Sequence, residues 1–180
     1  DYSKPTPLPL VILLHGFAVN GAIQDKMMGF ADNVEEGNFL FVHPNGTKGN
    51  RIGLIKPRFW NATHACCQQF GPPVNDQAFL LQLIDIIDGD DRLSVDRSKI
   101  YIIGHSNGAM MAYRMACKVP EKIAAIVAIG GTSYFEPSNC TTDEGKTPNM
   151  NILHIHGEDD EVISYEGGSS IGLPENLFPV

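Results

Sequence analysis

Positive charge is scarce in this chain: 13 lysines and arginines stand against 21 aspartates and glutamates, for a formal net charge of -8. That field repels nucleic acid and anionic membrane surfaces, and leaves neutral or cationic ligands less opposed. Long apolar runs are missing as well; none approaches the roughly 20 residues of a membrane-spanning helix. The opening "DYSKPTPLPL" shows no basic stretch followed by a short apolar one, the pattern of an export signal. No Gly-x-Gly-x-x-Gly follows the first apolar run, which excludes a dinucleotide-binding domain. Cysteine is sparse. Cys66, Cys67, Cys117 and Cys140 lack the Cys-x-x-Cys spacing of a zinc or thioredoxin site. They can pair into two disulfides in three ways, and such pairing points to an exported protein, secreted or periplasmic. If a helix runs from Ser106 to Cys117, that cysteine lies about 15 Å along the axis. Cys66 or Cys67 is then expected to reach Cys140 more easily if both loops lie above the sheet; four reduced, partly buried thiols are the alternative.

What remains is a chain of 180 residues with 43% hydrophobic and 19% charged residues. Those proportions describe one soluble globular domain, residues 1–180, long enough to bury a sizeable core. Its apolar runs are "LPLVILLHG" (8–16), "NFLFVHP" (38–44), "KIYIIG" (99–104), "IAAIVAIGG" (123–131) and "NILHIHG" (151–157). Short, branched and continuous, they read as strands of a parallel sheet buried on both faces. Candidate helices lie between them, at 22–33, 76–88 and 108–118. In the second, Phe79, Leu80, Leu83, Ile84 and Ile87 recur with a period near 3.6. Alternating strands and helices predict right-handed crossovers and a helix-covered α/β sheet. Residues 46–74 show little periodicity and read as one long loop.

The chemistry centres on Gly104-His105-Ser106-Asn107-Gly108. Gly-x-Ser-x-Gly after a buried strand and before a helix is the signature of a nucleophile elbow, a turn so tight that the serine hydroxyl is held out exposed. A plain strand-to-helix turn is the competing use of the same residues. The helix that starts there aims its first amides at charge developing above the serine. "LLHGF" (13–17) ends the first strand in a turn, so the N–H groups of Phe17 and Asn107 can pair as an oxyanion hole. An acid is expected after a later strand, where "HGEDDEV" offers Asp160, with Asp159 as its neighbour and a solvated acidic loop as the bland alternative. Glu158, Asp159, Asp160 and Glu161 cannot all face one ion, and His154-x-His156 lacks a third ligand, so no metal site is expected. His154 and His156 should share one sheet face. No histidine follows Asp160. His105 should point away from its neighbour, His64 sits in the long loop, and His15 and His43 end strands. Trp60, the only tryptophan, either walls a substrate pocket or packs; Met110, Met111, Met115 and Tyr113 fit a helix packed on the sheet.

Together "PLVILLHGF", "HPNGT", "RFWNATHACC", "VNDQAFL", "YIIGHSNGAMMAYRMAC" and "LHIHGEDDEVISYEGG" resemble the polyhydroxybutyrate depolymerase/feruloyl esterase-like family of secreted α/β-hydrolases, over nearly the whole chain. The resemblance implies an α/β-hydrolase fold, a mostly parallel sheet with helices on both faces, incomplete at its N-terminal strands and C-terminal end. It implies Ser106 as nucleophile and Asp160 as acid, although the family's Gly-x-x-Asp-Pro has Glu161 in place of proline. The family's histidine, in a later Gly-His motif, would fall outside this chain. The activity implied is cofactor-free hydrolysis of small acyl or hydroxycinnamoyl esters, free or polymer-linked. A hydroxyalkanoate depolymerase or a non-catalytic scaffold are the alternatives. A missing C-terminal segment is the one protein partner expected.

Overall fold

The computed structural model describes residues 6–63, 66–134 and 137–166. Five strands form one sheet: β1 (Leu8–Leu14), β2 (Leu40–Val42), β5 (Val95–His105), β6 (Ala125–Ile129) and β7 (Asn151–Ile155), in the order β2-β1-β5-β6-β7. Every neighbouring pair is parallel. A separate antiparallel pair, β3 (Thr47–Lys48) with β4 (Arg58–Phe59), lies in the long loop.

The order dictates where the helices go. From β1 the chain moves one way to β2, then back across to β5 and on to β6. Right-handed crossovers in opposite directions put α1 (Gly21–Met28) on one face, and α3 (Asp76–Asp88) and α4 (Asn107–Lys118) on the other. Strand alternation sorts the side chains accordingly. Leu10, Ile12, Leu14, Ile100, Ile102 and Ile126 form one core with Leu80 and Ile84 of α3 and Met111 and Met115 of α4.

Local sequence sets most boundaries. Helix α3 runs over the 13 residues its periodicity predicts, capped by Asn75, whose side chain accepts from the Ala78 amide at 3.0 Å. The helix expected over 22–33 is shorter. Gly29, at φ 72°, closes α1 in a left-handed cap, and the chain continues as a short turn and α2 (Val34–Gly37). Strand β5 is longer than its apolar run, because Val95 pairs with Leu8 across a register shift.

The long loop departs most from expectation. Phe59, Trp60, Asn61, Ala62 and Thr63 are buried, so this stretch without periodicity is core. The expected pairing of Cys140 with Cys66 or Cys67 is corrected too. Cys117 pairs with Cys140, at a Cα separation of 4.9 Å, and Cys66 with Cys67. The reason is topological. Because β6 and β7 are parallel, their connection must descend past the sheet, and it carries Cys140 to the lower end of α4.

Candidate active site

Strand β5 ends at His105 and α4 begins at Asn107, so Ser106 alone makes the turn. Its backbone sits at φ 53°, ψ -120°, a region that L-residues rarely occupy. Surrounding contacts enforce this. The Ser106 amide donates to the Ile129 carbonyl at 2.9 Å, and its carbonyl accepts from Ala109 and Met110. A Cβ on Gly104 would collide with the Gly108 carbonyl, and one on Gly108 with the carbonyls of Leu14 and His15. Both glycines of the pentapeptide are therefore required for packing.

The two candidate oxyanion turns share one support. Asn107 has a buried side chain whose Oδ1 accepts from the Trp60 amide at 2.7 Å and whose Nδ2 donates to the Trp60 carbonyl at 3.0 Å. Trp60 in turn donates its indole N–H to the His15 carbonyl at 3.0 Å. His15 precedes Gly16 and Phe17, so one tryptophan ties the end of β1 to the start of α4. With 0% of its surface exposed, Trp60 presents nothing to a ligand; it supports the site from behind. The Asn107 amide is the first of α4, and the first amides of a helix have no partner within it. On the other turn, Phe17 packs its ring 4.8 Å from Phe70, and Ala18 takes φ 62°.

His15 is a neutral strut. Its Nδ1 lies 2.8 Å from the Gly16 carbonyl, which can only accept, so Nδ1 carries the proton and Nε2 accepts from the Gly46 amide at 2.9 Å. Burial pushes its pKa below the ordinary value, partly offset by the Gly16 bond. A second buried group braces the same loop. Asp76 accepts from the Asn61 amide at 2.6 Å, while Arg114 donates to the carbonyls of Asn61 and Ala62. Burial pushes the Asp76 carboxyl up, against the opposing pull of the Asn61 amide and Arg114.

Asp160 lies just past β7. Its Oδ1 accepts from the amides of Val162 at 2.8 Å and Ile163 at 2.9 Å. The bonds from Ile163 and then Val162 hold its carboxyl below the usual range, so it is ionised near neutrality. Asp159 beside it is exposed. The turn after β6 sits between acid and serine: a Cβ on Gly130 would be 3.7 Å from Asp160 Oδ2, and one on Gly131 2.7 Å from the Ser106 carbonyl.

His154 and His156 share a face, with their rings in contact. Neither they nor His15 has a free ring nitrogen: His156 Nε2 lies 2.7 Å from the Ile163 carbonyl and its Nδ1 3.3 Å from His154 Nε2, while His154 Nδ1 lies 2.8 Å from the Tyr113 hydroxyl. His105 is held below its usual pKa by burial, with its Nδ1 unpartnered. His64 lies outside the described residues. Among the described residues no three His, Cys, Asp or Glu side chains gather as a metal site, and no helix is long and apolar enough to cross a membrane. The residues that sequence reasoning passed over are His15, Tyr113, His154 and His156; only the two histidines of "LHIHG", one strand repeat apart, gave a signal.

Comparison with known proteins gives this geometry a context. The sequence profile of the phospholipase/carboxylesterase group matches residues 3–171. A bifunctional acetylxylan esterase/xylanase of Neocallimastix patriciarum is 24% identical over 88% of the chain and 20% of its own length. Feruloyl esterase C of Emericella nidulans is 27% identical over 76% of the chain and 41% of its own. Poly(3-hydroxyalkanoate) depolymerase C of Paucimonas lemoignei is 27% identical over 72% of the chain and 29% of its own. The chain thus spans less than half the length of each of these relatives. In fold, it superposes on the crystal structure of esterase PE8 with a TM-score of 0.63 at 24% identity, over 91% of this chain and 75% of that one. With Arabidopsis thaliana SOBER1 the TM-score is 0.59 at 17% identity, over 88% and 78%. These structures share its α/β-hydrolase fold.

Proposed function

Because the chain belongs to the phospholipase/carboxylesterase family, we propose that it serves a serine carboxylesterase with Ser106 as nucleophile and Asp160 as the acid of a Ser-Asp-His triad. Substrates are small acyl or hydroxycinnamoyl esters, free or polymer-linked, as the names of the acetylxylan and feruloyl esterase relatives suggest. The observation that carries the reading is Ser106 itself, at φ 53° on the strand-to-helix turn, between two amide-bearing turns braced by one tryptophan.

The steps balance simply. A histidine takes the Ser106 proton as Oγ adds to the ester carbonyl. The resulting oxyanion accepts from the amides of Phe17 and Asn107. The histidine returns the proton to the departing alcohol, leaving an acyl-serine. Water, deprotonated by the same histidine, releases the acid and restores Ser106. Asp160 orients that histidine and stabilises its cationic form. The ring nitrogens of His15, His154 and His156 are committed elsewhere; the resemblance assigns the base to a histidine of a later Gly-His motif. The Cys117–Cys140 disulfide suits a secreted or periplasmic setting.

The test is Ser106→Ala in the full-length protein, assayed on 4-nitrophenyl acetate and a methyl hydroxycinnamate. Turnover should fall about ten-thousandfold with the thermal midpoint unchanged. Turnover at the parent rate would refute the reading.

A further inference from the structure

The residues around Asp160 form a hydrogen-bond chain whose direction is fixed at one end. His156 Nε2 is 2.7 Å from the Ile163 carbonyl. A carbonyl only accepts, so Nε2 bears the proton and neutral His156 has a bare Nδ1. That bare nitrogen is 3.3 Å from His154 Nε2, which must then be the donor. His154 Nδ1 is consequently bare, and accepts from the Tyr113 hydroxyl at 2.8 Å. Tyr113 to His154 to His156 is thus one polarised series, running from α4 to the end of β7. It ends at Asp160 as well: His156 Nε2 lies 3.3 Å from Asp160 Oδ2, the oxygen that the Val162 and Ile163 amides leave unclaimed. Only 4% of the His156 side chain is exposed.

We propose that His156 is a positioning residue for Asp160, anchoring through the Ile163 carbonyl the turn whose amides hold Oδ1, and that Tyr113 and His154 lock the His156 tautomer that makes this contact. The role rests on Asp160 acting as the triad acid. The Nε2–H is spent on the Ile163 carbonyl, and Ile163 in turn donates its amide to Asp160 Oδ1, so Oδ2, 3.3 Å from Nε2, keeps its lone pairs for the base histidine. As assigned, the series needs His154 Nδ1 bare, to accept from the Tyr113 hydroxyl. The titratable groups facing the pair are Tyr113 from α4, and Asp160 and Tyr165 from the segment after β7. Burial holds His154 below its ordinary pKa, and neighbouring His156 adds to the effect, which keeps the series intact to lower pH.

The experiment compares Asp160→Asn, His156→Phe, His156→Gln and Tyr113→Phe in the full-length protein, with kcat, KM and pH profiles on 4-nitrophenyl acetate. His156→Phe should lower kcat about tenfold or more with KM nearly unchanged, and His156→Gln, whose amide keeps a donor near the Nε2 position, should restore most of it. Tyr113→Phe should move the acid limb of the pH profile upward, because His154 loses its lock and protonates more readily. Full kcat in a folded His156→Phe protein overturns the proposal, provided Asp160→Asn is crippled. Full kcat in Asp160→Asn overturns the triad reading beneath it. Should His156→Phe fail to fold, Tyr113→Phe decides, and an unmoved acid limb counts against the proposal.

Discussion

The two halves of the candidate site are built in opposite ways. Around Ser106, packing does the work: Leu14, Trp60, Asn107, Ala109 and Met111 are fully buried, and the elbow's glycines touch backbone on all sides. Around Asp160, among the described residues, Ile152, Leu153 and Ile155 of β7 are exposed by 49%, 56% and 48%. There Asp160 is held by hydrogen bonds within one short segment, with His156 Nε2 3.3 Å from its Oδ2. A strained serine conformation needs a surrounding structure that over-determines it, whereas a carboxylate needs only donors. The nucleophile half should therefore fail through loss of core packing, and the acid half through loss of polar contacts.

The largest stability effect is expected at the brace. Trp60→Ala removes a fully buried indole and takes from the His15 carbonyl its donor, at a cost of about 3–5 kcal/mol by denaturant unfolding. A cost below about 1 kcal/mol would mean that the two turns stand without it. A smaller effect comes from pH. The His15 pKa is lowered in the fold, so its contribution is complete above the unfolded value of about 6.5 and is lost as pH falls below it. Unfolding midpoints should drop between pH 7.5 and 5.5, and His15→Gln should flatten that slope; an equal slope in both proteins would remove His15 from the account. Least is expected at Leu153 of β7, which is 56% exposed. Leu153→Thr should change stability by about 0.5 kcal/mol or less, and a large loss would show that β7 is covered in solution.

The same contrast explains what the sequence reveals. Apolar strands advertise themselves: the runs at 8–16 and 123–131 each contain an observed strand and that at 99–104 lies within one, and the Gly-x-Ser-x-Gly between strand and helix marks the elbow because Gly104 serves a contact with Gly108 only four residues on. Asn75 and the face of Leu80 and Ile84 mark α3 for the same local reason. Long-range roles leave no such trace. The main chain at Trp60 is held by Asn107, 47 residues later, and nothing in "RFWNAT" announces that. The Cys117–Cys140 pair follows from the parallel β6–β7 connection, a fact of topology that spacing along a helix does not contain. The tautomer of His156 depends on the carbonyl of Ile163, a contact made only once the chain has turned back after β7.

The central claim is that Ser106 is an activated nucleophile and not merely a residue at a tight turn. The direct measurement is intact mass after exposure to a fluorophosphonate probe, with peptide mapping and a heat-denatured control. One adduct, on Ser106 and only in the folded protein, is the predicted result. A folded full-length protein that takes no adduct, or takes it at another residue, would contradict the account.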